Sequence, residues 1–418
     1  MPLLGQEEWL FCPPVPRDLE SLGISAGLVT DLFLRRLAAD GTSDLTSLAR
    51  VLRLPVAVVH SVFTDLRQQQ LIEVKGMAGN DYRITLSGSG RAMASERFRI
   101  SQYTGAAPVS LKAYINAVRE QAADLEINRE MLRTAFSDLV IPDELLDQLG
   151  PAMIEQSSMF LYGPPGNGKT SLAERLLRVY QDAVLIPYAV EVDGQVITLY
   201  DPVVHQRVAE DDPDRDPRWV PCKRPCITVG GELTTNLLEL RYDDSAGIYS
   251  APLQMKANNG IFLVDDFGRQ QVSPRELLNR WIVPLDRRVD YLALRYGLKF
   301  EIPFQLLVVF ATNLNPSELA DEAFLRRIHN KIYIDSILPE HFDEIFRRVA
   351  RAKKVEITTE SYASFRELCL SDGRTELRAC YPMDVCRILH SIAKYENRPP
   401  AATAENLKRA VELYFAVG

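Results

Sequence analysis

The run Gly163-Pro164-Pro165-Gly166-Asn167-Gly168-Lys169-Thr170 constrains this chain more than any other stretch. Glycine, four residues, then Gly-Lys-Thr is the pattern of a loop that cradles nucleotide phosphates. Its glycines permit positive φ and close backbone approach, so successive N–H groups turn inward around the β- and γ-phosphates. Lys169 adds a point charge, and the Thr170 hydroxyl is placed to complete a Mg2+ shell. Apolar Met159 to Tyr162 predicts a strand entering the loop, and Ser171 to Tyr180 has the spacing of a helix leaving it. A positive helix N-terminus therefore meets the phosphates.

A loop that binds phosphate needs further groups to do chemistry, and two later stretches supply candidates. Ile261 to Val264 predicts a strand ending in Asp265 and Asp266, the arrangement of a Walker B segment. Asp265 would reach the Mg2+ shell and Asp266 would orient the attacking water. Adjacent carboxylates at a strand end can also simply cap the next helix. Leu306 to Ala311 predicts a second buried strand, followed by Thr312 and Asn313. The Asn313 amide is a second candidate for holding water.

At 418 residues, two or three domains are expected. The net charge of −8 argues against a chain that binds nucleic acid over its whole surface. The Pro-containing N-terminus lacks the basic start and apolar core of a signal peptide, and no apolar run reaches membrane-spanning length. A cytoplasmic protein with no membrane insertion is expected. Its six cysteines are scattered, which predicts reduced thiols. Cys222, Cys226 and His205 form a conceivable metal set that no second closely spaced pair completes.

Residues 1–24 read as an irregular arm. Leu28 to Ala39, Leu45 to Leu52 (capped by Asp44) and Pro55 to Gln70 predict three helices, followed by a two-stranded ribbon turning at Gly79-Asn80-Asp81. Residues 25–103 thus resemble a winged-helix domain, whose usual task is DNA binding through the third helix. That helix carries one cation, Arg67, beside Asp65, so DNA binding, protein docking and a structural role all stay open. Residues 104–124 read as a linker, continuing into helical stretches. Val184 to Tyr200 predicts a hairpin turning at Asp193-Gly194, followed by the acidic AEDDPDRDPRW. Residues 187–225 are read as a surface insertion whose acidity serves solvation. Gly247-Ile248-Tyr249 could grip a polypeptide in a pore or belong to the core. Asp290 to Ile302 predicts another hairpin, and from Pro339 onward the pattern is helical throughout.

The ordered set GPPGNGKT, FLVDDFGRQ, VVFATNLNP, DEAFLRRI and an all-helical end resembles the AAA+ ATPases over about residues 125–418. The hairpin before VVFATN is similar to the insertion that marks the pre-sensor-1 branch, and DDFGRQ followed by PRELLNRWIVPLDRR is similar to the MoxR-like pattern. The fold implied is an α/β P-loop core at 125–336, a parallel sheet flanked by helices, with an all-α lid at 337–418 and the winged-helix domain in front. The resemblance implies ATP and Mg2+ as cofactors. It places Gly163, Pro164, Pro165, Gly166, Asn167, Gly168, Lys169, Thr170 and Ser171 around the nucleotide, and Asp265 with Thr170 on the metal. Asp266 and Asn313 become the water-orienting pair. Arg327, with Arg326 in reserve, becomes a finger reaching a neighbouring subunit's γ-phosphate. The implied assembly is a ring, a hexamer by the family pattern, that remodels a protein client. Two positions depart from that pattern: Asp266 stands where glutamate is usual, and Met383 where a lid arginine is expected. Arg387 and Arg378 are the candidate substitutes. An ATP-controlled DNA-binding protein using residues 25–103 and a weakly hydrolysing nucleotide-gated scaffold are the alternatives.

Overall fold

The computed structural model describes residues 11–79, 81–122, 126–208, 212–319 and 322–415. Its centre is a five-stranded sheet ordered Cys226–Val229, Ile261–Val264, Leu307–Thr312, Ser158–Tyr162, Asn330–Tyr333, with every pairing parallel. The central strands are apolar almost without interruption because helices cover both faces. Side-chain alternation divides them cleanly. Met159, Leu161, Leu263, Val309 and Ile332 point to the face covered by helices Asp143–Glu155 and Lys169–Leu176. Phe160, Phe262, Val308 and Phe310 point to the other, where Trp281 of helix Pro274–Arg287 packs.

Strand order decides where a ligand can sit. The P-loop strand lies between Leu307–Thr312 and Asn330–Tyr333, while its successor in this sheet, Cys226–Val229, is at the far edge. Such a crossover opens a crevice at the strands' carboxyl ends. Register places Thr312 beside Tyr162 and Val264 beside Phe310, so Gly163, Asp265 and Asn313 emerge together at that edge. Helices Pro339–Lys353, Thr359–Cys369, Tyr381–Tyr395 and Ala404–Tyr414 then pack around Phe342, Phe346, Phe365 and Leu389 as a separate lid. The result is an α/β P-loop core with an all-helical lid, as the resemblance to the AAA+ ATPases implies.

The N-terminal unit contains helices Ala26–Asp40, Leu45–Leu52 and Val56–Gln68 and the antiparallel strands Ile72–Ala78 and Asp81–Leu86. Asp44 caps the second helix by accepting from the Ser47 N–H at 2.7 Å. Asn80, at the expected turn, lies outside the described residues, as do residues 1–10 of the expected arm.

The expected linker and surface insertion are built otherwise. Val109–Ser110 pairs in parallel with Ala189–Val192, which forms a hairpin with Gln195–Thr198. Ile248–Ser250 joins Gln195–Thr198, also in parallel, and Arg241–Asp243 pairs antiparallel with it at the edge, completing a second sheet. Trp219, Val220 and Cys222, within the expected surface stretch, are buried in a core shared with Tyr114 of helix Leu111–Glu120 and with hairpin Val289–Ala293/Lys299–Pro303. Tyr249, offered as a pore residue, is 3% exposed, and its hydroxyl accepts from the Arg295 N–H at 3.0 Å. That excludes it from a polypeptide grip.

Nor is the acidic stretch merely solvated. Asp216 and Arg218 are buried, and the Arg218 guanidinium donates to both Asp216 oxygens and to the main-chain oxygens of Leu22 and Pro108, each of the latter at 3.0 Å. The Asp216 N–H donates to Pro13 O at 3.1 Å. This segment therefore clasps the N-terminal unit to the second sheet.

The metal reading of Cys222, Cys226 and His205 fails on the donors. Among the described residues no group of three His, Cys, Asp or Glu side chains could hold a metal ion. Nδ1 of the buried His205 accepts from the Asp201 N–H at 3.0 Å, so Nε2 carries the proton and donates to Lys256 O at 2.9 Å. Burial holds its pKa below 6.5, outweighing the Asp201 carboxylate, which favours the cation. An unfolded chain takes up this proton before the native one, so stability is expected to fall as pH drops below about 6.5. The loss is about 1.4 kcal/mol for each unit by which the pKa is depressed. Denaturant midpoints between pH 7.5 and 5 should decline less in His205→Gln than in the wild type.

Candidate nucleotide site

The loop after Tyr162 is shaped by glycines. Gly163 has φ 138°, and a Cβ there would meet Ile334 O at 2.2 Å. Gly166 has φ 82°, and a Cβ there would lie 2.6 Å from Cys380 Sγ of the lid. Both positions thus demand glycine, one against the core and one against the lid. Lys169 is 7% exposed and its Nζ donates to Gly163 O at 2.9 Å and Pro164 O at 2.8 Å, closing the loop on itself. Burial lowers the pKa of Lys169, opposed by Asp266 and then Asp265.

Thr170 Oγ1 donates to the Asp265 carboxylate, lying 3.0 and 2.9 Å from its two oxygens. The residue pair expected on a metal shell is therefore already adjacent. Both donors are hard oxygens, the set Mg2+ requires. Asp266 sits at φ 48°, an αL conformation aspartate tolerates, and Asn313 Nδ2 donates to its Oδ1 at 3.4 Å. Gln270, which sequence reasoning passed over, fixes this turn: its Nε2 donates to Asp265 O at 2.7 Å and Asp266 O at 3.2 Å. The only signal was its place in DDFGRQ.

These residues border a cavity of about 1000 Å3. Pro165 to Ser171, Asp265, Asp266 and Asn313 line it, whereas Gly163 and Pro164 do not. The rest is mostly apolar, with Leu139, Ile141 and Leu145 facing Ile345, Val349 and Met383 of the lid. The lid also touches the loop directly. The Cys380 N–H donates to Gly166 O at 2.9 Å and the Ala379 N–H to Asn167 Oδ1 at 3.4 Å.

Other expected residues stand elsewhere. Arg387 is 65% exposed, 3.8 Å from Asp384, and lines a shallow depression with Tyr395 and Leu413 on the outside of the lid. It follows Met383 by one turn, about 6 Å further along the axis, and lies beyond the cavity wall, which on this helix ends at Asp384. Arg378 lies across Gly166, its Cδ 3.6 Å from the position of a Cβ there, and does not line the cavity.

Arg326 and Arg327 precede the strand Asn330–Tyr333, at the opposite end of the sheet. Ser158 Oγ, at the start of the P-loop strand, donates to Arg327 O at 3.4 Å. Four strand steps of about 3.3 Å separate that point from Tyr162. Arg327 Nε donates to Asp286 at 3.0 and 2.8 Å. Arg326 is exposed, and its guanidinium has no partner among the described residues. Asp321, which opens the DEAFLRRI motif, lies outside them.

A family model described as a domain of unknown function (DUF8689) matches residues 338–413, within the lid. No curated protein matches the sequence. Among solved structures, the Thermotoga maritima RuvB Holliday junction branch migration motor is similar at TM-score 0.37 and 12% identity, over 70% of this chain and 72% of that one. The FIGL-1 AAA domain is similar at TM-score 0.39 and 16% identity, over 72% of this chain and 89% of that one. Sheet order, loop geometry and the lid define the fold independently of these likenesses. Among the described residues no single helix is long and apolar enough to cross a membrane.

Proposed function

We propose that this chain is a Mg2+-dependent ATPase of the AAA+ kind that acts in a ring, a hexamer by the family pattern, to remodel a protein client. The observation that carries the reading is the Thr170–Asp265 pair, at 3.0 and 2.9 Å, beside a glycine-shaped loop and within one cavity with Asp266 and Asn313. In this reading Lys169 leaves the loop carbonyls for the phosphates. Thr170 and Asp265 hold Mg2+, which supplies positive charge to the transferred phosphoryl group. Asp266, positioned through Gln270, and Asn313 orient the attacking water.

Charge balance supports assembly. Lys169, Arg175 and Arg348 are the only lysines and arginines among the described residues lining the cavity, against carboxylates Asp138, Glu144, Asp265, Asp266, Asp335 and Asp384. A site for a polyanion with so few cations is incomplete, and the unpartnered Arg326 at the far end of the sheet suits a neighbour's site. Hairpin Val289–Ala293/Lys299–Pro303, standing before strand Leu307–Thr312, supports the pre-sensor-1 branch and the MoxR-like reading. The N-terminal unit is read as a winged helix that docks protein: Val56 is 49% and Met77 61% exposed, and helix Val56–Gln68 offers one cation, Arg67. Neither Arg378 nor Arg387, the expected substitutes for a lid arginine at Met383, lines the cavity, which favours, as a second reading, a slowly hydrolysing nucleotide-gated scaffold.

Size-exclusion chromatography with light scattering, with and without Mg-ATP, followed by turnover assays on each fraction, tests the proposal. Turnover is expected in an ATP-dependent oligomer. A monomer in both conditions with full turnover would sink the ring; an oligomer without turnover would favour the scaffold.

A further inference from the structure

Both legs of hairpin Val289–Ala293/Lys299–Pro303 lead to the cavity. The first follows helix Pro274–Arg287, which begins after the turn that carries Asp266 and Gln270. The second runs through Phe304 into strand Leu307–Thr312 and ends at Asn313. Neither leg is free to slide. Asp290, 1% exposed, accepts from Arg280 of the helix at 2.6 and 3.1 Å and from Gln254 Nε2 at 3.0 Å. Asn258 Nδ2 donates to Pro303 O at 3.0 Å, and its Oδ1 accepts from the Gln305 N–H at 2.9 Å.

The tip is tied as well. Arg295 pairs with Asp244, its guanidinium lies 5.4 Å from the centre of the Tyr242 ring, and its N–H donates to Tyr249 Oη at 3.0 Å. Tyr296 Oη donates to Asp193 Oδ2 at 2.5 Å. Both partners of the Arg295–Asp244 pair are exposed, and such a pair is weak alone, so the hold comes from the set. Asp244 belongs to turn 243–247, which Asp243 stiffens by accepting from the N–H groups of Ser245 and Ala246 at 2.9 and 3.1 Å. The same turn carries the end of the N-terminal unit. The Gln102 N–H donates to Ala246 O at 2.7 Å and its Nε2 to Ser245 O at 2.8 Å. Gly247 has φ 65°, and a Cβ there would lie 2.3 Å from Ile100 O. One short turn thus holds both the hairpin tip and the unit's exit from helix Gly88–Ile100.

We infer that turn 243–247 is a latch through which the N-terminal unit sets the geometry of Asp266 and Asn313, with Gln102, Arg295 and Tyr296 as positioning residues. A client that shifts the unit pulls on the turn, and the turn pulls on the tip. Legs pinned at Asp290 and Asn258 then carry the shift to the cavity instead of absorbing it. The latch rests on the reading of Asp266 and Asn313 as the water-orienting pair, and it adds the route by which a client controls them.

Two measurements on the full chain test the latch, and the first, hydrogen exchange, needs no turnover. The Leu294 N–H donates to Leu298 O and the Gly297 N–H to Leu294 O, each at 2.8 Å, so both report on the tip. In Gly247→Ala, whose Cβ pushes the turn off Ile100, these amides should exchange about tenfold faster, and in the milder Gln102→Ala about threefold faster. Unchanged exchange in the central strand Ile261–Val264 shows that both variants fold. Turnover is the second measurement. Arg295→Ala combined with Tyr296→Phe should lower kcat about tenfold and leave Mg-ATP affinity within about twofold, because geometry at Asp266 and Asn313 is lost and binding is not. Adding Gln102→Ala to that pair should cost nothing more, since Gln102 and the tip act through one turn. A tip undisturbed in both Gly247→Ala and Gln102→Ala, or turnover losses that multiply, would overturn the latch. Accelerated exchange at the tip in a protein that never turns over ATP would instead overturn the water-orienting reading, and with it the latch's control of hydrolysis.

Discussion

Arg326→Ala is expected to leave ATP binding and assembly intact while lowering turnover of the assembled protein about 10³-fold or more, the scale of a lost arginine finger. The motif alone puts Arg327 first, but the side-chain partners reverse the order. Arg327 is 21% exposed and bound by Asp286, whereas Arg326 is exposed with no partner among the described residues. A finger must leave its own subunit for another's phosphate, and the unbound side chain does so without breaking an ion pair. Arg327→Ala should instead act on the local structure. It removes a part-exposed pair worth under about 1 kcal/mol and costs turnover only as far as Arg326 is misplaced. Mixing gives the decisive measurement. Arg326→Ala subunits keep an intact P-loop, and Lys169→Ala subunits keep an intact finger. Each preparation alone should be inactive, and the mixture should regain turnover at interfaces that pair one intact half with the other. No recovery on mixing, with both proteins assembled, would place the finger in cis and contradict its position at the other end of the sheet.

The parts legible in the sequence were those encoded locally. Continuous apolar runs such as Ile261–Val264 and Leu307–Thr312 are strands buried on both faces, and their polar successors Asp265 and Asn313 fall at the carboxyl edge because that is where the chain leaves the sheet. Asp44 as a helix cap was legible for the same reason. The second sheet was not. Its hairpin at Asp193-Gly194 has a turn signal, but the parallel pairings of Val109 with Val190 and Tyr249 with Ile197 join segments far apart in sequence and have no local signature. Charge misled where burial reversed its meaning, since Asp216 and Arg218 look like any solvated acidic loop until the Leu22 and Pro108 carbonyls are seen around them. Arg387 shows what helical spacing leaves out: it leans the same way as Met383, but it stands about 6 Å further along the axis, past the last residue of this helix that lines the cavity.

Arg218→Ala should be strongly destabilising although it lies outside the nucleotide cavity. Its side chain is 5% exposed and that of Asp216 3%, so truncation leaves two buried carbonyls without their donor and a buried carboxylate with only the Arg218 N–H, and no cation, against it. Losing one partner of a buried pair costs about 3–5 kcal/mol. The exposed pair Arg129–Asp147, whose side chains are 50% and 49% exposed, should cost no more than about 1 kcal/mol when broken. Denaturant unfolding of Arg218→Ala and Arg129→Ala, compared with the wild type, checks the contrast. Replacing both buried partners, as in Asp216→Asn with Arg218→Met, should recover part of the loss because no uncompensated charge remains. The same variants ask how the N-terminal unit is attached. Arg218 ties Leu22 on one side of that unit and Pro108 on the other to the segment leading into strand Trp219–Lys223, which pairs with Ala183–Pro187 after the P-loop helix. Limited proteolysis of Arg218→Ala should therefore cut near residues 102–108 faster than in the wild type, while Mg-ATP affinity stays unchanged. Unchanged stability together with unchanged cleavage would mean that the clasp does not hold the unit, and that the contacts of Arg53 with Tyr188 and of Gln102 with Ala246 suffice to dock it.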